Sequence, residues 1–302
     1  MKRLVLIDGH AILHRAYHAF PLTLKTRKGE LVNAVYGFSR MLLTVLEDLK
    51  PQYLVVAFDL PQPTFRHQEY VGYQIQRPEM DKELFGQIER VYQIVKALNI
   101  PIFTAPGFEA DDVIGTLAKQ AKNLEVMIVT GDRDIMQLVN KKVKVYSPRK
   151  GFAEPEIFDE KKVKEFLGIT PQQVIDYKAL TGDPSDNYPG VSGIGPKTAV
   201  KLLSRFKSLK QIYKNLAKIE PVLREKLSQG KGAARLSQKL ATIVTKVPLK
   251  LKLKACLLHD YDQQKAIKLF EELEFRSLIS KLPGMEKVKE EKKDESHQMS
   301  LI

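Results

Sequence analysis

The run Val126-Met127-Ile128-Val129 is continuously apolar and ends at Thr130-Gly131-Asp132. A strand that never alternates is buried on both faces, so it belongs inside a mainly parallel sheet. Two other runs share this build. Leu4-Val5-Leu6-Ile7 stops at Asp8-Gly9, and Tyr53-Leu54-Val55-Val56-Ala57-Phe58 stops at Asp59. Helical periodicity separates them, through Met41, Leu42, Val45, Leu46 and Leu49, then Val113, Ile114, Leu117, Ala118 and Ala121. Right-handed crossovers keep the ends of such strands together. The chain is therefore expected to be α/β with a mostly parallel central sheet. Its strand-end aspartates should meet at the edge where open α/β sheets hold ligands.

The other acids gather at the same place. Glu109, Asp111 and Asp112 precede the 126–129 run, and Asp132 and Asp134 follow it. Glu109 and Asp112 are three residues apart, so on a helix they share a face and repel. Taken singly, acids at a helix start and an aspartate after a strand are ordinary capping features. Three strand ends delivering Asp8, Asp59 and Asp132 to one edge favour a ligand set. Oxygen-only donors suit a hard divalent cation such as Mg²⁺ or Mn²⁺.

No stretch approaches the roughly 18 apolar residues of a membrane span, and the opening MKRLVLIDG has no apolar signal-peptide core. The single cysteine, Cys256, excludes an internal disulfide and a cysteine zinc site. A cytosolic protein is expected, and 302 residues suffice for one large or two modest domains. The net charge of +13 is concentrated. Residues 201–254 hold fifteen Lys/Arg against Glu220 and Glu225, so this segment carries the whole surplus and the remainder nets zero. A basic second half beside an acid-rich first half suits a polyanion gripped by one part and acted on by metals in the other.

Residues 60–80 have no clean period and interleave Phe65, Arg66, His67, Tyr70, Tyr73 and Arg77 with prolines. That mixture suits a mobile element that stacks on bases and contacts phosphates, with a plain connecting loop as the alternative. Residues 142–146 read as an edge strand. The strand–helix alternation stops near residue 160, and Thr170-Pro171 opens a helix in what reads as an all-helical remainder. Asp183 and Asp186 supply two acids from outside the sheet. Gly190 to Lys197 (GVSGIGPK) then puts a tight glycine turn before a helix, where exposed amides suit a phosphate oxygen. From Gly284 the chain is charged and of low complexity, the composition of a disordered tail.

Six motifs, LIDGHAILHRAYHAF, NAVYGF, FDLPQPTFRH, GFEADDVIGTLA, TGDRDIMQL and TGDPSDNYPGVSGIGPKTA, together resemble one family. It is the 5′ nuclease (5′-3′ exonuclease) domain of bacterial DNA polymerase I, within the flap endonuclease superfamily. The likeness runs over residues 1–282. It implies a PIN-like catalytic domain at 1–168, with an arch at about 60–80. A helical DNA-binding domain with a helix–three-turn–helix would follow at 169–283, and a tail at 284–302. The family's metal carboxylates map onto Asp8, Asp59, Glu109, Asp111, Asp112, Asp132, Asp134, Asp183 and Asp186. Of these, Asp8, Asp59, Glu109, Asp111 and Asp132 are expected to hold two or more ions directly, with the other four behind them. Catalytic roles fall to Tyr73 and Arg77, the arginine neutralising transition-state charge. DNA contacts fall to Arg15, Phe65, Arg66, Gly193, Gly195, Lys197 and Lys201, and the glycine hairpin would also take K⁺.

The resemblance implies cleavage of DNA at 5′ flaps, nicks and free 5′ ends in replication and repair, by a cytoplasmic, nucleoid-associated enzyme. No polymerase segment follows, so a free-standing form is expected, with a separate polymerase as partner. The terminal QMSLI is similar to the pentapeptide that docks on the bacterial sliding clamp, through Gln298, Leu301 and Ile302. One position departs from the family, whose arch carries Tyr-Lys-x-x-Arg where this chain has Tyr73-Gln74-Ile75-Gln76-Arg77. Two other readings compete: a DNA-structure- or clamp-binding protein with weak or no cleavage, and a PIN-type ribonuclease.

Overall fold

The structure is a computed structural model and describes residues 2–148, 155–258 and 261–285. The clamp-docking residues Gln298, Leu301 and Ile302, and the tail beyond Met285, lie outside the described residues. The strands are β1 (Arg3–Asp8), β2 (Tyr53–Ala57), β3 (Ile102–Phe103), β4 (Glu125–Val129), β5 (Val143–Ser147) and β6 (Glu156–Phe158). They form one sheet in the order β3-β2-β1-β4-β5-β6, parallel throughout except for β6. The β5 strand is therefore not the edge expected from its sequence. Tyr146 and Ser147 pair with Ile157 and Glu156, so three further residues cover it.

Register brings the acids together. Asp8 lies opposite Ala57 of β2, and Ile7 lies opposite Val129 of β4. Asp59 and Asp132 follow those partners by two and three residues. Side chains alternate between the two faces of the sheet. Leu4, Leu6, Val55, Ala57, Val126 and Ile128 point into one core, and Val5, Ile7, Leu54, Val56, Met127 and Val129 into the other. All twelve are at most 2 % exposed. At about 1.5–3 kcal/mol for each fully buried aliphatic side chain, this packing outweighs the repulsion of a few carboxylates at the sheet edge.

The helices, in chain order, begin with α1 (Gly9–Ala19), α2 (Asn33–Leu49), α3 (Phe65–Glu69), α4 (Lys82–Phe85), α5 (Ile88–Ala97) and α6 (Ala110–Gln120). Next come α7 (Glu160–Leu167), α8 (Val174–Thr181), α9 (Pro196–Phe206), α10 (Leu209–Lys214), α11 (Pro221–Gln229) and α12 (Lys231–Ala241), and last α13 (Gln263–Glu272) and α14 (Arg276–Ile279). One face of the sheet packs on α1, α2 and α5. The other packs on α6, and that core runs on without a break into α8, α9 and α10. Thr170 and Gln173 cap the turn that leads into α8, with Thr170 N donating to Gln173 Oε1 at 3.1 Å.

The last helices of the 169–283 segment join the other core. Ala266, Phe270, Leu273, Phe275, Leu278 and Leu282 bury themselves in the α1–α2–α5 core. There α13 packs on α5, and Phe275 stacks edge-on against Tyr36 of α2 at 5.2 Å. The chain therefore returns to the sheet after α12, because its last apolar stripe matches a face that α2 and α5 leave open.

Candidate metal centre

Asp8 ends β1 and caps α1. Its Oδ1 accepts the Ala11 amide at 3.0 Å, and its Oδ2 accepts the Thr130 hydroxyl at 2.9 Å. Thr130 Oγ1 also accepts the Asp132 amide at 3.0 Å. One fully buried threonine thus fixes the acids at the ends of β1 and β4 relative to each other. Asp59 accepts the first amide of α6, that of Ala110, at 2.7 Å, and its Oδ2 lies 3.2 Å from His10 Nδ1. The N-terminus of α6 is aimed at the sheet edge and brings Glu109 and Asp111 with it.

The electrostatics record crowding. Burial, then the nearby Asp59 and Asp132, push the Asp8 carboxyl up to about 6. Burial followed by Asp132, Asp8, Asp59 and Glu109 lifts Asp111 well above the usual carboxylate range. Burial also raises Glu109 to about 7, against the pull of Arg66. Asp59 goes the other way. Its burial is outweighed by His10 and the Ala110 amide, which hold it below its ordinary value. Among the described residues, no lysine or arginine pairs with Asp8, Asp111 or Asp132. Buried carboxylates without a cation demand one or bind protons. The oxygen-only set fits a hard divalent ion.

Asp134, Asp183 and Asp186 form a second group, with one carboxylate oxygen from each lying within 4.8 Å of the others. They make an ion-sized cluster of their own. Asp134 opens a 3-10 turn after β4, and its amide donates to Asp132 Oδ1 at 2.8 Å. Asp183 and Asp186 sit in the turn after α8. Gly182 (φ +68°) and Gly190 (φ +63°) close that turn so tightly that a Cβ on either would strike backbone within 2.5 Å. Asp183 Oδ1 accepts both the Ser185 amide and its hydroxyl. Lys178 lies between the acids, 2.5 Å from Asp134 Oδ1 and in direct contact with Asp183 Oδ2. Burial lifts Asp134 to about 7, with Asp132 adding to it. The Tyr188 hydroxyl beside these acids is buried and has no hydrogen-bond partner, a donor facing the group.

Seven of the nine carboxylates line one cavity of about 990 Å³: Asp8, Asp59, Glu109, Asp111, Asp132, Asp134 and Asp186, with His10, His14 and Arg77 on its walls. Asp112 is elsewhere. It is fully buried and takes Arg66 in a two-pronged pair at 2.7 and 2.9 Å, plus the amides of Val244 and Glu109. Its oxygens are fully employed, so it is a fixed brace and not an ion ligand. Glu109 is the N-cap of α6 and forms a reciprocal cap with Asp112, whose charge still adds to the upward push on Glu109. Arg66 is likewise withdrawn from any DNA contact. It is 2 % exposed, and it also meets the Leu240 and Thr242 carbonyls and, at 3.2 Å, the Glu109 carboxylate.

The 60–80 segment is anchored at its base. Tyr73 is buried, and its hydroxyl donates to Glu109 at 3.3 Å and reaches Asp186 at 3.5 Å. Gln74, at φ +54°, fills the lysine position. Its side-chain amide donates to Asp186 Oδ1 at 2.9 Å and its backbone amide to the Asp186 carbonyl at 3.0 Å. Arg77 is exposed on the cavity wall and helps lower Asp59. Phe65 packs on Phe108 under the Arg66 guanidinium. Arg15 lies next to Gly131 with one guanidinium nitrogen buried and unpartnered. Gly193 and Gly195 are exposed in the turn before α9, and a Cβ on Gly193 would meet the Lys226 ammonium at 2.9 Å. Lys197 and Lys201 are exposed on α9.

Four site residues were not singled out from sequence: Thr130, His10, Thr64 (hydroxyl to Glu109 at 3.2 Å) and Lys178. The first two stand beside acids in the quoted motifs. Lys178 gives no spacing signal, because the Gly182 turn decides which way Asp183 faces.

The family model described as "5′-3′ exonuclease, N-terminal resolvase-like domain" matches residues 3–168, and "5′-3′ exonuclease, C-terminal SAM fold" matches residues 169–264. DNA polymerase I of Caldicellulosiruptor bescii is 45% identical over 284 residues, which cover 93% of this chain and 33% of that protein. The Bacillus subtilis DNA polymerase I is 40% identical over 93% of this chain and 32% of its own length. The chain thus spans about a third of the length of the curated relatives it matches. Among solved structures, bacteriophage T5 5′-exonuclease with zinc bound superposes with a TM-score of 0.69 at 20% identity, covering 91% of this chain and 99% of that one. The Rad2 catalytic core in complex with DNA substrate gives 0.62 at 18%, covering 92% and 90%. These likenesses extend the shared fold over both layers.

Proposed function

This chain belongs to the 5′-3′ exonuclease family, and we propose that it is a structure-specific, divalent-metal-dependent nuclease hydrolysing DNA at 5′ flaps, nicks and free 5′ ends. The observation that carries this reading is the cavity itself, in which seven carboxylates from β1, β2, β4, α6 and the turn after α8 converge. Mg²⁺ or Mn²⁺ is the proposed cofactor, held by Asp8, Asp59, Asp111 and Asp132 and, at the second group, by Asp134, Asp183 and Asp186. A bound divalent ion supplies a more acidic water and charge stabilisation at a leaving oxygen. K⁺ in the Gly190–Gly195 turn is a further proposal.

The protein's own groups define the remaining steps. His10 holds Asp59 ionised, and Thr130 keeps Asp8 and Asp132 in register. Arg77 stands free on the wall, placed to neutralise charge on a phosphate entering the cavity. The basic 201–254 segment would hold duplex by its phosphates without reading sequence. T5 flap endonuclease has been solved in a pseudo-enzyme-product complex with DNA and metal ions, which supports the substrate class. The bacterial sliding clamp, through Gln298, Leu301 and Ile302, and a separate DNA polymerase are the proposed partners, in a cytoplasmic, nucleoid-associated setting.

The test is purified protein with a labelled 5′-flap DNA duplex and the matching RNA, with Mg²⁺ or with EDTA. Mg²⁺-dependent cutting of the DNA flap is expected. No cut would end the nuclease reading, and cutting of RNA alone would favour a ribonuclease.

A further inference from the structure

Lys178 is the one ammonium inside the acidic cleft among the described residues. It projects from the last turns of α8, and its side chain is only 18 % exposed. Two carboxylates from separate elements grip it, Asp134 after β4 and Asp183 after α8. With Asp186 these form, among the described residues, the one trio of carboxylates with an oxygen from each within 4.8 Å of the others. A divalent ion bonded to oxygens at about 2.0–2.6 Å would draw its ligands from that same small volume. Lys178 holds Asp134 Oδ1 and Asp183 Oδ2, so an ion drawing on the same two carboxylates would lie close beside the ammonium, where two cations repel strongly in a part-buried site.

Resting on the metal-dependent reading above, we propose that Lys178 is the resident counter-ion of the second acidic group. A divalent cation binds there by displacing it, so Lys178 sets the ion affinity of that site. The geometry separates this role from ordinary bracing. Arg66 also meets two carboxylates, Asp112 at 2.7 Å and Glu109 at 3.2 Å, but the first of these is fully satisfied by it and by the Val244 and Glu109 amides. Lys178 instead bridges two prospective ion ligands. Gln74 does the same with a neutral amide at Asp186 Oδ1, so each acid of the trio is partnered by a side chain that can withdraw. Among the described residues Asp8, Asp111 and Asp132 have no such device, and the two groups therefore differ in the ion concentration at which they fill.

The experiment is calorimetric titration of Mn²⁺ into ion-free protein, comparing wild type with Lys178→Met, Lys178→Gln and Lys178→Arg. Removing the charge is expected to tighten the weaker class of Mn²⁺ site by about tenfold or more, with little change at the tighter class. Lys178→Arg keeps the charge and should stay near wild type. Lys178→Gln, which keeps a donor, carries the test if Lys178→Met does not fold. The Mn²⁺-induced rise in Tm, larger in the uncharged variants than in wild type, is an independent readout. Two ions binding to the uncharged variants with unchanged or weaker affinity would overturn the proposal and leave the metal-dependent reading standing. A single ion in wild type and variants alike would overturn both the proposal and the two-group assignment.

Discussion

Asp8, Asp111 and Asp132 face one another with no lysine or arginine paired to them among the described residues, whereas Asp134 and Asp183 share Lys178. Both groups occupy one cleft and both are partly buried, yet the same carboxylate chemistry is settled in two ways. In the first, amide and hydroxyl donors from the backbone and Thr130 offset part of the charge, and burial with mutual repulsion pushes Asp8 and Asp111 up. In the second, an ammonium does so. Asp112 represents a third outcome, a carboxylate satisfied completely and permanently by Arg66. Counting acids in a sequence does not distinguish these three states, because the difference lies in which cation, if any, reaches each one.

The comparison can be broken most forcefully at Asp111, which has no ion-pair partner among the described residues. Asp111→Asn should cut Mg²⁺-dependent flap cleavage by about a thousandfold, on the scale of losing a central electrostatic group. It should also leave the ion-free protein more heat-stable than wild type at alkaline pH. A variant that cleaves normally, or melts earlier without metal, would remove Asp111 from the centre.

A smaller effect follows from pH. The folded-state carboxyls of Asp8, Glu109 and Asp134 titrate near 6, 7 and 7, above their ordinary values. Their contribution to stability is therefore full below the unfolded values near 4 and is lost as pH rises through the folded ones. His14, held below its ordinary value by burial, works in the opposite sense but is a single group. The Tm of ion-free protein should accordingly fall by on the order of 5 °C between about pH 5 and about pH 8, and saturating Mn²⁺ should abolish most of the slope. A flat profile without metal would mean that the first group is already compensated.

Gln74 gives the smallest expected change. A lysine there would lose the amide contact to Asp186 and add a second ammonium near the Lys178 group. Single-turnover cleavage by Gln74→Lys should rise by a few-fold through phosphate contact, the scale of an exposed charge pair. An unchanged rate would show that Arg77 alone serves this wall.

The βα order, the parallel sheet, the strand-end placement of Asp8, Asp59 and Asp132 and the helical second layer were all legible in sequence. They follow from uninterrupted apolar runs and from the period of two that sends side chains to opposite faces of the sheet. Several things were not legible. The fate of Asp112 depends on Arg66, which is 46 residues away, and on Val244, 132 residues away. The role of Lys178 depends on a turn closed by two glycines pressed against backbone. The short strand β6 and the return of α13 are set by which faces remain open once the larger elements have packed, a property of the assembled structure and not of a local window.

That return has a consequence for how the molecule is made. Phe270, Phe275, Leu278 and Leu282 complete a core begun by Val5 and Ile7, so the first and last thirds of the chain are welded by contacts more than 200 residues apart in sequence. A ribosome delivers the acidic cleft and the basic helices before it delivers the residues that seal the opposite face. Such long-range closure is entropically slow, and until it happens the α2–α5 surface stays open to water and to other chains. Quality control of this protein during synthesis would thus turn on its last described helices, far from the acidic cleft.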